Sequence, residues 1–211
     1  MESKRITVKH PEWLHINYDG RHSFGYNQEW YNSDWQKLSG CGPTTATQVL
    51  SYVSFRDGYL DAKSSQDAKK AVARMEHVWE YVTPRFGGGL YKTNWFANGM
   101  QRFAENEGLP YESKMLNISP FAPLRPSLEE VTDFISSGLC EDSPVGFLNR
   151  HRGTENELYT WHWVPILSIH KLANDTRCLV YDDEQERHFS LRAWLKNSLL
   201  GGGFAYVSKK Q

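Results

Sequence analysis

Three cysteines occur in the 211-residue chain, Cys41, Cys140 and Cys178, and they differ in how well their neighbours support thiol chemistry. Cys41 lies in SGCGPTTATQVL, between Gly40 and Gly42. Pro43 follows, a residue suited to a first helical position, and then Ala46, Val49, Leu50 and Val53 recur at helical spacing. A helix that starts here points the positive end of its dipole at the sulfur and favours the thiolate. The small flanking residues admit a substrate backbone. The unpaired N–H groups of the first turn can donate to a developing oxyanion. Cys140 and Cys178 fall in or beside strand-like runs and read as small buried hydrophobes. An odd, irregularly spaced set argues against both a disulfide framework and a zinc knuckle.

A nucleophilic thiol needs a base. His162 stands in TWHWVPILSI, at the beginning of the most apolar strand-like run, and Asp182 follows 20 residues later, at the end of the next run, CLVYDD. Two adjacent strands joined by a short turn would bring the pair together, so that the carboxylate fixes the imidazole tautomer and stabilises the imidazolium. Asp183 is the neighbouring candidate, but strand alternation turns it to the other face. Gln36, five residues before Cys41, is the expected side-chain oxyanion donor, with Asn32 as the substitute. Trp161 and Trp163 beside His162 are expected to shield the ion pair from water. Arg150 and Arg152 read as a solvated loop, with the reception of a substrate carboxylate as the alternative. His151, His170 and His188 share no short ligand spacing, and a zinc site drawn from His162, His170, His188 and Asp182 is the lesser alternative. The residues therefore call for no metal and no cofactor.

The elements that must position these groups divide along the chain. Residues 1–27 form an aromatic-rich N-terminal segment, part of a coil to residue 35 with one short strand at Arg5–Val8. The coil is expected to pack over the domain as a lid, with one wall of a cleft as the sharper alternative. Helical patterns start at Pro43 and end near Asp57, then run over about 65–82, 94–107 and 127–137. The last opens with Ser127 and Glu130 in capping-box spacing. After Gly138 the texture is strand-like, in Pro144–Leu148, Trp161–Ile169, Cys178–Tyr181, His188–Leu191 and Phe204–Val207, with a short helical piece around Trp194. Helices first and an antiparallel sheet last predict an α+β fold over one domain, residues 1–211. The two triple-glycine runs, Gly87–Gly89 and Gly201–Gly203, lack the context of a phosphate loop.

Composition removes other classes. With 39% hydrophobic and 14% aromatic residues the chain can bury a core. A net charge of −1 gives no global field for nucleic acid or an anionic membrane. No apolar run is long enough to span a bilayer, and the charged start is not a signal peptide, so a cytoplasmic location is expected.

With these residues in place, the chain resembles the bacterial papain-like cysteine peptidases of the double-glycine-leader type, and more closely their stand-alone relatives. The resemblance rests on Gln36, Cys41-Gly42-Pro43, His162-Trp163-Val164 and Asp182, in the order of papain-like enzymes. It also draws on SLEEVTDFISSGLCEDSPVGFLN ahead of the histidine, and as a pattern it covers roughly residues 28–207. Three departures stand out: Asp183 replaces the usual proline, Gln36 is one residue closer to the cysteine, and 56–93 and 149–160 are long elaborations. Nothing in these 211 residues resembles a transporter domain, so a bacteriocin-precursor substrate is not implied. The resemblance implies a papain-like fold and a peptide or amide hydrolase working through an acyl-enzyme, with Cys41 as nucleophile, His162 as base, Asp182 as its orienter and Gln36 as oxyanion donor. Two alternatives use the same fold: an acyl transferase or transglutaminase-like enzyme, and a non-catalytic binding module.

Overall fold

The computed structural model describes residues 3–18, 20–63 and 66–210. Its elements run β1 (Lys4–Thr7), β2 (His15–Tyr18), β3 (Arg21–Phe24), α1 (Asp34–Ser39), α2 (Cys41–Arg56), α3 (Ala68–Trp79) and α4 (Thr93–Asn106). There follow β4 (Tyr111–Ile118), α5 (Leu128–Cys140), β5 (Val145–Asn149), β6 (His162–Lys171), β7 (Thr176–Asp182), β8 (Gln185–Ser190), α6 (Leu191–Asn197) and β9 (Gly202–Lys209). The class is α+β. A seven-stranded antiparallel sheet has the order β4-β9-β5-β6-β7-β8, and β1 pairs with the far half of β6. β2 and β3 form a separate two-stranded sheet.

Helix α2 is the axis of the domain. Every residue from Gly42 to Phe55 is buried, because the helix packs on β6 and β5 on one side and on α3 and α4 on the other. A helix enclosed all round must carry small or apolar side chains. Here Thr44, Thr45, Thr47, Ser51 and Ser54 supply the small ones, and Thr47 Oγ1 donates back to the Pro43 carbonyl at 2.7 Å, so its hydroxyl is not left unpaired. Under the sheet Phe147 stacks between Phe189 and Phe204, each at 5.0 Å, and takes Trp194 edge-on at 4.8 Å. The apolar cluster is continuous from the N-terminal aromatics to β9. No helix among the described residues is long and apolar enough to cross a membrane.

Several expectations are corrected. The N-terminal coil contains the β2–β3 pair. α2 begins two residues before Pro43, at Cys41 itself. α3 begins at Ala68, capped by the Asp67 side chain; Ser65, the expected start, lies outside the described residues. α5 opens on the Ser127–Glu130 capping box and continues to Cys140, whose side chain faces solvent because Leu139 takes the core position. β8 begins at Gln185 rather than His188. β4 has no counterpart in the strand pattern, because it lies at the sheet edge with Glu112, Lys114 and Asn117 breaking any apolar alternation.

Candidate active site

Cys41 owes its place to Gly40, the residue shared by the end of α1 and the start of α2. A β-carbon at Gly40 would lie 2.4 Å from the Gln36 carbonyl oxygen and 2.7 Å from the Tyr31 ring, so only glycine permits the junction. A β-carbon at Gly42 would meet Leu90 at 2.7 Å, which shows how closely the chain at residue 90 approaches the helix start. The sulfur therefore sits at the first position of a 16-residue helix, at the positive end of its dipole.

The late sheet supplies its partners. His162 opens β6. Extending the Ile166–Val180 register places Asp182 opposite Val164, a diagonal neighbour of His162 on the same face. His162 Nε2 bonds Asp182 Oδ1 at 2.7 Å, which leaves Nδ1 for Cys41. The two carboxylates are told apart by the β7–β8 turn. Asp183 and Glu184 both have positive φ, 54° and 65°, so Asp182 is the last residue of the strand and Asp183 belongs to the turn. Asp183 is half exposed and lies 3.7 Å from Arg187. That turn is clamped by the N-terminal segment: Glu184 accepts from Tyr18 Oη at 2.8 Å and Asn27 Nδ2 at 2.9 Å, and its carbonyl accepts from the Phe24 N–H at 3.2 Å.

Burial alone raises a thiol's pKa. At Cys41 this is outweighed by a hydrogen bond and charge from His162, and by the backbone N–H groups of Trp163 and Gly42, so the thiol lies below its ordinary value. Burial disfavours imidazolium at His162. Hydrogen bonds to Asp182 and Cys41, with the charges of both, reverse this and push its pKa up to about 10. Both shifts favour the thiolate and imidazolium forms of the pair. Tyr159 packs edge-on to the His162 ring at 5.6 Å, and the Arg187 guanidinium lies over the Tyr159 ring at 5.1 Å, with its Nε 3.8 Å from Asp182 Oδ2. Asn149, 1% exposed, ties this loop down, donating to the Tyr159 carbonyl at 2.6 Å and accepting from Trp194 Nε1 at 2.8 Å.

Cys41 borders two hollows of different character. One, of about 240 Å³, contains His162 and is walled by Asn27, Gln28, Glu29, Tyr159 and Asp183. The other, of about 620 Å³, is apolar, with Trp35, Leu38, Gly87–Gly89, Tyr91 and Trp161 around it. The N-terminal aromatic segment is thus a wall of the cleft as well as packing. Trp163 is buried, stacked on Phe96 at 3.9 Å, and donates to the Leu90 carbonyl at 2.6 Å. Trp161 is 54% exposed at the apolar rim, away from the shielding role expected of it.

Gln36 does not meet its expectation. Its Nε2 donates to Glu76 and its Oε1 accepts from Ser33 Oγ at 2.9 Å, because α1 turns this residue towards α3. Asn32 is exposed. The side-chain amides that line the cleft are Asn27, committed to Glu184; Gln28, whose Nε2 donates to the Lys37 carbonyl at 2.6 Å; and Gln48, two turns along α2 from Cys41. Gln48 is detectable in the sequence as the residue seven after the cysteine on one helix face; Gln28 and Arg187 carry no sequence signal. Arg150 binds the carbonyls of Ile118 and Gly202 at 3.3 and 3.4 Å and so ties down its own loop. Among the described residues no group of three or more His, Cys, Asp or Glu is placed to hold a metal ion. No protein-family model matches the chain, and no curated protein matches it.

Proposed function

We propose that the protein is a papain-like cysteine hydrolase that cleaves a peptide or amide bond. The observation that carries this reading is the His162–Asp182 hydrogen bond at the head of α2, with the Cys41 thiol held below its ordinary pKa by His162. The Cys41 thiolate attacks the carbonyl carbon. The oxyanion is received by the Cys41 backbone N–H at the helix start. His162, already protonated, gives its proton to the leaving amine, and the acyl-enzyme is hydrolysed by a water from which His162 takes a proton. Asp182 holds the ring so that one nitrogen always faces the sulfur.

Proton delivery also orients the substrate. The leaving amine must lie within reach of His162, so it occupies the polar hollow, and the acyl portion lies in the apolar basin between Trp35 and Trp161.

The test is incubation of wild type and Cys41→Ala with a mixture of peptides, read by mass spectrometry, beside iodoacetamide labelling of the intact protein. Wild type is expected to yield new termini and to be alkylated at Cys41 well before Cys178, and the variant is expected to be folded and inert. Cleavage by Cys41→Ala, or equal labelling of Cys41 and Cys178, would sink the assignment. Amine-exchanged products in place of new termini would make it a transferase.

A further inference from the structure

A second cluster lies on the opposite face of the late sheet. Arg5 on β1, His170 on β6 and Arg177 on β7 are direct cross-strand partners, Arg5 to His170 and His170 to Arg177, so the three stand side by side in one row. The next row on that face holds Ser168, Leu179 and His188, again as direct partners. These six residues line one cavity of about 240 Å³. Arg177 and Leu179 alternate with Cys178 and Asp182 along β7, so the cluster points away from the Cys41 cleft.

Two guanidinium groups in one row of a sheet face, two strand spacings apart, repel each other unless a carboxylate lies beside them. The chain has acids enough to avoid this, 25 Asp and Glu against 24 Lys and Arg, and it uses them elsewhere. Lys171, one residue along from His170, pairs with Asp133 at 3.0 Å, and Arg56 pairs with Asp57 at 2.8 Å. Among the described residues neither Arg5 nor Arg177 has a carboxylate within ion-pair distance. Glu157, in the β5–β6 connection, is already engaged: it accepts the His188 backbone N–H at 2.8 Å. One nitrogen of the His170 ring is held by Ser3 Oγ. Protection of an exposed edge accounts for a charge on β1 but not for Arg177, because β7 lies between β6 and β8.

We propose that this row is a binding site for a phosphate group carried by a small soluble molecule. Adjacent strands are about 4.8 Å apart, so the Cα atoms of Arg5 and Arg177 stand about 10 Å apart with His170 between them. Two guanidinium forks can then close from either side on one anion above the imidazole. A carboxylate is satisfied by a single fork, whereas a phosphate group carries charge and oxygens for both. His188 and the Ser168 hydroxyl supply the remaining polar lining.

Calorimetric titration with pyrophosphate, in buffer at about 0.15 M salt so that diffuse attraction is screened, tests the site. One saturable binding event is expected, weakened about tenfold or more by Arg177→Gln and by Arg5→Gln. Lys171→Gln, a nearby charge outside the cavity, is expected to leave it unchanged. Ligand-free Arg177→Gln is expected to melt no lower than wild type, since one of two like charges in the row is removed. Heats that do not saturate, equal weakening by Lys171→Gln, or a lower melting point for ligand-free Arg177→Gln would each overturn the proposal. Sedimentation with vesicles containing phosphatidic acid, without pyrophosphate binding, would overturn the assignment to a soluble ligand. None of these outcomes depends on hydrolysis at Cys41.

Discussion

Cys178 is buried inside the core and Cys41 packs against the same core half-buried, while Cys178 shares a strand face with Asp182, the residue that holds His162. Their thiols nevertheless move in opposite directions. At Cys178 burial is the largest influence, nearby Asp175 adds to it, and the pKa is pushed far up. At Cys41 burial is also the largest single influence, yet the His162 hydrogen bond and charge, and two backbone N–H groups, reverse it. Exclusion of water therefore does not by itself silence or arm a cysteine. It amplifies whatever charge and donors stand next to the sulfur, and only the head of α2 has them.

The largest way to break the contrast is to remove its cause. In His162→Ala, Cys41 keeps its burial and loses its cation, so it should behave as Cys178 does. A thiol at or above the ordinary ~8.5 is ionised only to a few per cent at pH 7, so alkylation of Cys41 there should slow several-fold. The sign is fixed by the two shifts. Wild-type reactivity should rise on the acid side of an ordinary thiol, because Cys41 is lowered, and hydrolysis should fall as pH passes about 10, because His162 then has no proton to give. In His162→Ala the rise should move to the alkaline side. Superimposable pH–rate curves for alkylation in the two proteins would show that His162 does not set the thiolate.

A smaller effect sharpens the role of the helix start. Gly42→Ala places a methyl against Leu90, whose carbonyl anchors the Trp163 indole. Overpacking of this kind costs about 1–3 kcal/mol, to be read from urea denaturation. An unchanged midpoint would mean that the chain at residue 90 yields freely.

The smallest effect belongs to Gln36. Its amide serves Ser33 and Glu76 at a partly exposed position, so Gln36→Ala should change Cys41 alkylation and any hydrolysis by less than about twofold. A hundredfold loss of turnover with alkylation intact would return it to the oxyanion role.

Legibility in the sequence followed the range of the forces involved. The Cys41 helix start, the Ser127–Glu130 capping box and the apolar strands around His162 are local patterns, and the structure carries each within a few residues of its expected place. β4 was hidden because an edge strand satisfies one neighbour and the solvent, which leaves no period in YESKMLNI. The β2–β3 pair was hidden because its residues are aromatic and polar in no regular alternation. Gln36 was misplaced for a different reason: spacing to the cysteine is legible, but the rotation of α1 that gives its amide to Glu76 is not.

The sequence by itself determined the local chemistry: a cysteine at the one point where a glycine-flanked helix begins, and a histidine and an aspartate at the ends of two consecutive strands. Those properties follow from backbone geometry within a few residues. Only the tertiary structure decided that Asp182 and not Asp183 reaches the imidazole, because the choice depends on where the β7–β8 turn falls. It also decided that Gln28 and Glu29 wall the cleft, and that Arg5, His170 and Arg177 share one row. Each of these depends on strand register, turn position or loop placement, set by the packing of the whole core.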